Sequence, residues 1–192
     1  MAKKDEKRWL RLNQCLLNYQ CYLERKSDNS ITYIDLLYVS NFKGGNASLT
    51  DPIDEVNSKL VPITIIIERI KAEFGQKSIE ILTDQEVEVI HSILEELDKL
   101  LMEPSSQISG FKISYLSALL HANFPRLFPI LDRRILINSG IVNKSNLSKN
   151  KQVKYINKYY ILLFNWFRSE VKNTNKTIRE IDRILFSTSL RI

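Results

Sequence analysis

Residues 108–134 read Ile-Ser-Gly-Phe-Lys-Ile-Ser-Tyr-Leu-Ser-Ala-Leu-Leu-His-Ala-Asn-Phe-Pro-Arg-Leu-Phe-Pro-Ile-Leu-Asp-Arg-Arg. Ser109-Gly110 is a turn signal, and the apolar residues after Lys112 predict a helix to about Ala122. Pro125 and Pro129 punctuate a loop, after which Asp132 opens another helix. Two ionisable residues, Lys112 and Asp132, thus stand at the starts of successive helices on either side of one buried segment. The first N–H groups of a helix have no partner within it, and they carry the positive end of its dipole. Such ends attract phosphates and help hold a carboxylate in its charged form, so this geometry can make a site. The plain alternative for Asp132 is an ordinary N-cap.

The segments on either side are helical too. Upstream, Thr83-Asp84-Gln85-Glu86 is a capping box, and Val87, Ile90, Leu94, Leu97 and Leu101 form the inward face of a helix that ends before Pro104. Downstream, Ile135-Leu136-Ile137 runs to Gly140, and Asn143–Lys151 is a polar, basic linker. Tyr155–Val171 predicts a helix whose stripe is Tyr159, Leu162, Leu163, Trp166 and Phe167, read as core rather than as a stacking platform. Thr177 and Glu180 box a last helix through Ile178, Ile181, Ile184 and Leu185.

The N-terminal part predicts a packing helix from about Asp5 to Lys26 and a second one over Ile31–Val39, where β-branched residues leave a strand open. Phe42-Lys43-Gly44-Gly45-Asn46-Ala47 ends it. That turn is either a helix stop or a second place where exposed amides meet a phosphate or a base edge. Asp51-Pro52 reads as cap and first-turn proline, and Pro62 is expected to kink or divide the helix before Ile63–Phe74. The sum is seven to nine helices with no βαβ alternation, an all-α chain.

Composition narrows the class. The chain has 192 residues, 44% of them hydrophobic, enough for one core that two lobes can share. Its longest apolar runs are too short for a bilayer, so no membrane association is expected. The charged, amphipathic start does not read as a cleavable signal peptide, and the expectation is a cytosolic, cytoplasmic monomer. Cys15 and Cys21 are the only cysteines, and their spacing on a helix argues against a mutual disulfide. His91 has no partner for a metal site, and no metal or other cofactor is expected. Charge is divided unevenly: residues 1–104 hold 13 Lys+Arg against 18 Asp+Glu, and 105–192 hold 15 against 4. The basic half suits a polyanion such as nucleic acid, or is a solvated surface.

The order of turn, Gly110, Lys112, small-residue helix, Pro-containing loop and Asp132 resembles the helix-hairpin-helix base-excision DNA glycosylases. Their signature is a hairpin of the type Leu-Pro-Gly-Val-Gly-x-Lys-Thr-Ala, followed after a helix by Gly/Pro and Asp. The match is confined to 108–134. Ile108 replaces the first hairpin glycine without a preceding proline, and Leu-Asp-Arg-Arg stands for the usual Val-Asp-Thr-His. The resemblance implies one two-lobed helical domain over 1–192, with the hairpin region at about 83–139 between N-terminal helices 5–75 and C-terminal helices 151–188.

It also implies an enzyme that removes a modified or damaged base from double-stranded DNA, with an AP-lyase step in its bifunctional members. The iron–sulfur cluster of some relatives is excluded, because no cysteine follows Cys21. Asp132 takes the place of the catalytic aspartate, which stabilises the oxocarbenium-like sugar as the C1′–N bond breaks. Lys112 stands where the lyase amine would be, or serves as a phosphate contact or a surface charge. Phosphate contacts fall to the Ser109 and Gly110 amides with Arg126, Arg133, Arg134 and Lys144. A flipped base needs a pocket, for which the candidate liners are Tyr115, His121, Tyr33, Tyr38 and Asn41. His121 is equally read as a core histidine. The short form leaves room for unusual substrates, including a hypermodified cytosine of phage DNA removed as an antiviral act. The alternative is a non-catalytic helical DNA-binding module.

Overall fold

Repeated capping boxes and amphipathic periods give an all-helical chain. The computed structural model describes residues 2–45 and 48–189, and among them there is no β-strand, only an isolated bridge between Leu147 and Val153. The helices are α1 (Ala2–Arg25), α2 (Tyr33–Phe42), α3 (Ile53–Phe74), α4 (Asp84–Met102), α5 (Ile113–Asn123), α6 (Arg133–Asn138), α7 (Tyr160–Thr174) and α8 (Ile178–Ser187). Short 3-10 turns lie at Ile79–Ile81, Lys144–Asn146 and Ile156–Tyr159. No helix among the described residues is long and apolar enough to cross a membrane. Asn46 and Ala47, the end of the Lys-Gly-Gly-Asn-Ala turn, lie outside the described residues.

The α5 helix is the hub. Leu116, Ser117, Ala118, Leu119 and Leu120 are buried, and the helix packs against α1 and α2. Around it, α8 lies on α1 and α6, while α4 touches α3 and α7. Truncating Leu116 or Leu119 to Ala would cost about 2–5 kcal/mol. The loop after α5 is also buried, so its backbone polar groups need partners inside the protein. They have them. His121 donates through Nδ1 to Phe128 O at 2.7 Å, and the Tyr160 hydroxyl donates to Pro129 O at 3.1 Å. Leu131 is held at both ends: its N–H donates to Ser117 Oγ at 2.9 Å, and its carbonyl accepts from Ser114 Oγ at 2.8 Å. The small residues of α5 thereby fix the backbone one position before Asp132.

Several local expectations are corrected. The helix expected over 31–39 does form, but it starts at Tyr33 rather than Ile31, where Asp35 accepts the Thr32 N–H at 2.8 Å and closes a capping box. Pro62 does not divide its helix, since α3 runs unbroken from Ile53 to Phe74. Asp51 does not cap α3; Pro52 occupies that position, and Asp51 reaches instead to the hairpin. The helix expected from Tyr155 starts at Tyr160, after a left-handed residue and a 3-10 turn. Its inward face is correspondingly rotated to Tyr160, Leu163, Phe164, Phe167 and Val171, leaving Leu162 52% exposed. Cys15 and Cys21 are both free and only partly buried.

Candidate functional site

Asp132 is the N-cap of α6, and its Oδ1 accepts the Arg134 N–H at 2.8 Å. Its other oxygen faces the Lys43 ammonium at 3.8 Å, within ion-pair range but beyond a hydrogen bond. Lys43 arrives from the end of α2, where Gly44 (φ 93°) and Gly45 (φ 73°) turn the chain in a conformation that glycine adopts without strain. The backbone does stop the helix there, with Lys43 N–H donating to Val39 O at 2.9 Å. Its side chain turns inward. Lys43 Nζ donates to Leu131 O at 3.2 Å, and the side chain is 10% exposed against 32% for Asp132. Burial pushes the Lys43 ammonium below its ordinary pKa, with Asp132 opposing that shift and Arg179 adding to it.

The pair opens on a slot of about 50 Å³ lined by Arg8, Trp9, Phe42, Ile130, Arg179 and Phe186, among others. By that measure it holds roughly three to five waters. Arg179 is clamped over the rings of Trp9 at 4.5 Å and Phe42 at 5.6 Å, and it pairs with buried Asp182 on the next turn of α8. Burial lowers the Arg179 pKa to about 10. Since Asp182 already has its cation, Asp132 remains the slot's second carboxylate, and Lys43 is opposite it.

The other sequence candidates are dispersed. Lys112 is the exposed N-cap of α5 and does not line the slot. The hairpin is turned toward its own chain. Ser109 N–H donates to Asp51 Oδ2 at 3.0 Å, and a Cβ on Gly110 (φ 78°) would meet Ser48 O at 2.5 Å. The Ser109 amide expected to bind phosphate is therefore already occupied by a carboxylate. Arg134 does not assist Asp132 with its guanidinium, which makes a bidentate pair with Asp5 at 2.7 and 3.1 Å. Arg133 donates to Lys151 O at 3.0 Å. Arg126 and Lys144 are exposed.

None of the expected base-pocket residues lines the slot. His121 is a satisfied core residue: burial, reinforced by the Arg179 charge, pulls its pKa down to about 3. Tyr38 stacks between Tyr19 and Tyr22, with centroids 5.3 and 4.9 Å away. Tyr33 lends its N–H to Asn57 at 2.8 Å, Asn41 is exposed, and half-buried Tyr115 has its hydroxyl pKa raised by burial. What sequence reasoning missed is the wall made by Trp9, Phe42, Arg179 and Asp182. Its signal was present at Arg179 and Asp182, three apart on an otherwise amphipathic helix, where an inward charge needs a reason. No protein family model, no curated protein and no solved structure matches this chain.

Proposed function

We propose that the chain is a DNA N-glycosylase of the helix-hairpin-helix type, with Asp132 as the residue that stabilises the sugar. The observation carrying this reading is the Asp132–Lys43 pair: a partly exposed carboxylate at a helix start, anchored through one oxygen and facing a desolvated amine across an aromatic-walled slot. In the reaction the electron pair of the C1′–N bond leaves with the base, which takes up a proton from solvent. Positive charge develops at C1′ and the ring oxygen, where a fixed carboxylate stabilises it more than water would. Water then adds to C1′ and loses its proton, leaving an abasic deoxyribose. Lys43 faces the Asp132 carboxylate at 3.8 Å until the sugar arrives.

Any lyase step draws its amine from Lys43, which is desolvated and beside Asp132, rather than from exposed Lys112. Borohydride trapping on DNA with a preformed abasic site separates the two. The adduct should vanish in Lys43→Met and persist in Lys112→Ala; the reverse pattern returns the role to Lys112.

The decisive assay incubates duplexes carrying oxidised, alkylated or phage-type hypermodified bases and measures released base by mass spectrometry. The expected result is release from at least one duplex and its loss in Asp132→Asn. A second reading, a non-catalytic DNA-binding module, is favoured by the slot's volume, which falls short of a nucleobase unless the walls of α1 and α8 part. Salt-dependent DNA binding with no release from any duplex decides for that module.

A further inference from the structure

Between Asp132 and Glu170 the chain has no carboxylate, and the lysines of that stretch share one folded loop. The expected linker is internally bonded. Leu147 bridges Val153, Ser148 N–H donates to Gln152 O at 2.8 Å, Lys151 N–H to Ser148 O at 2.9 Å, and Lys154 N–H to Asn146 O at 2.9 Å. Lys144, Lys149, Lys151, Lys154 and Lys158 are all exposed on it. Among the described residues none of the five takes part in an ion pair. Asp98 does approach the loop, but it accepts from the Asn157 amide at 3.1 Å rather than from a lysine. Five like charges on one ordered loop repel one another, and a polyanion relieves that repulsion.

A second feature points to the kind of polyanion. Tyr155 is 72% exposed, with the Lys158 ammonium 5.0 Å from its ring centre. Its backbone is left-handed at φ 51°, as is that of Lys151 at φ 57°, a region disfavoured for residues with side chains. The fold thus presents a large ring to water at a position where a turn would ordinarily use Gly or Asn. An exposed ring among unpaired cations is the pattern that stacks bases while the cations follow a phosphate backbone. The loop is also tied to the candidate site, because Arg133, the residue after Asp132, donates to Lys151 O at 3.0 Å.

We propose that the 143–158 loop is the surface that grips the DNA backbone, with Tyr155 receiving a base that has left the stack. This rests on the reading that the chain's substrate is DNA, not on base release. The test is fluorescence anisotropy of labelled duplexes between about 50 and 200 mM salt, the range over which phosphate contacts are lost. Replacing Lys149, Lys151, Lys154 and Lys158 together by Gln should flatten the slope of log affinity on log salt by about two to four. The same charge removed at Lys7, Arg11, Arg25 and Lys71 should leave the slope nearly unchanged. Tyr155→Ala should weaken binding about tenfold for a duplex with an unpaired nucleotide, and little for a fully paired one.

Circular dichroism melts check that each variant is folded. An unchanged slope in the folded loop variant, or an equal change in both quadruple variants, overturns the proposal. Loop-dependent binding without base release sinks the excision reading alone; base release with loop-independent binding sinks the loop alone.

Discussion

Asp35 and Asp132 both sit at the start of a helix, in the first turn of α2 and at the N-cap of α6, and both face a buried lysine, yet their surroundings differ in kind. Asp35 is fully enclosed and accepts from Tyr19 OH at 3.1 Å, Lys26 Nζ at 2.7 Å, and Thr32 N–H and Oγ at 2.8 and 2.9 Å. Both of its oxygens are engaged, Oδ1 by Tyr19 and Oδ2 by the other three donors. Asp132 accepts one backbone N–H, keeps its lysine at 3.8 Å, and leaves a third of its side chain to solvent. A carboxylate with four donors has nothing left for a substrate, whereas one with a spare oxygen beside a slot does. The first pair stabilises the junction of α1 and α2; the second has the unspent capacity that chemistry requires.

Substitution of each aspartate should separate these roles most sharply. Asp35→Ala strands the Lys26 charge and should cost about 3–5 kcal/mol in urea unfolding. Asp132→Asn should change stability by less than about 1 kcal/mol, because Asn caps a helix as well as Asp. Base release should nevertheless fall about a hundred- to a thousandfold. If Asp132→Asn were as destabilising as Asp35→Ala, the two pairs would be equivalent structural elements and the functional distinction would collapse.

The loop leading to Asp132 offers an acid test of comparable size. Folded His121 titrates near 3 against its ordinary 6.5, so between those values the unfolded chain binds more protons than the native one. Its contribution is complete above pH 6.5 and is lost as pH falls toward 3, on the order of 5 kcal/mol in all. His121→Gln, which retains a donor for Phe128 O, should flatten that limb of the stability profile. An unchanged limb in the variant would mean that another group governs acid unfolding, and that the segment before Asp132 is not held by a neutral imidazole.

Helix positions were legible because each rests on local chemistry: the Thr83 and Thr177 boxes, the inward face of α4 and the turn at Gly140 all follow from neighbours in sequence, whereas on α8 Ile184 is exposed and Asp182 and Phe186 turn inward with Ile178 and Ile181. Asp132 at the start of α6 was legible for the same reason. Its partner was not. Lys112 was nearer in sequence and stood where the resemblance implies an amine, but Lys43 is brought in by packing of α2 on α5, a contact no local pattern encodes. The same limit explains the Tyr155 region, where a helical period continues through residues that the tertiary structure holds in a left-handed turn. It explains the hairpin too, since nothing near Ser109 announces that Asp51 will occupy its amide.

Asp51 stands between the two extremes and should have a small effect on stability. It accepts one backbone N–H, from Ser109, keeps Lys59 at 3.5 Å and is 20% exposed. Ser109 is itself at the surface, so water can replace the carboxylate when it is removed. Asp51→Ala should therefore cost about 1 kcal/mol, well below Asp35→Ala, because neither the amide nor the lysine is left without solvent. Urea midpoints of the three aspartate variants, measured side by side, should rank Asp35 as the most destabilising, then Asp51, then Asp132→Asn. A loss at Asp51 as large as that at Asp35 would mean that the hairpin contact is sealed from water, and that the grading of these carboxylates by solvent access is wrong.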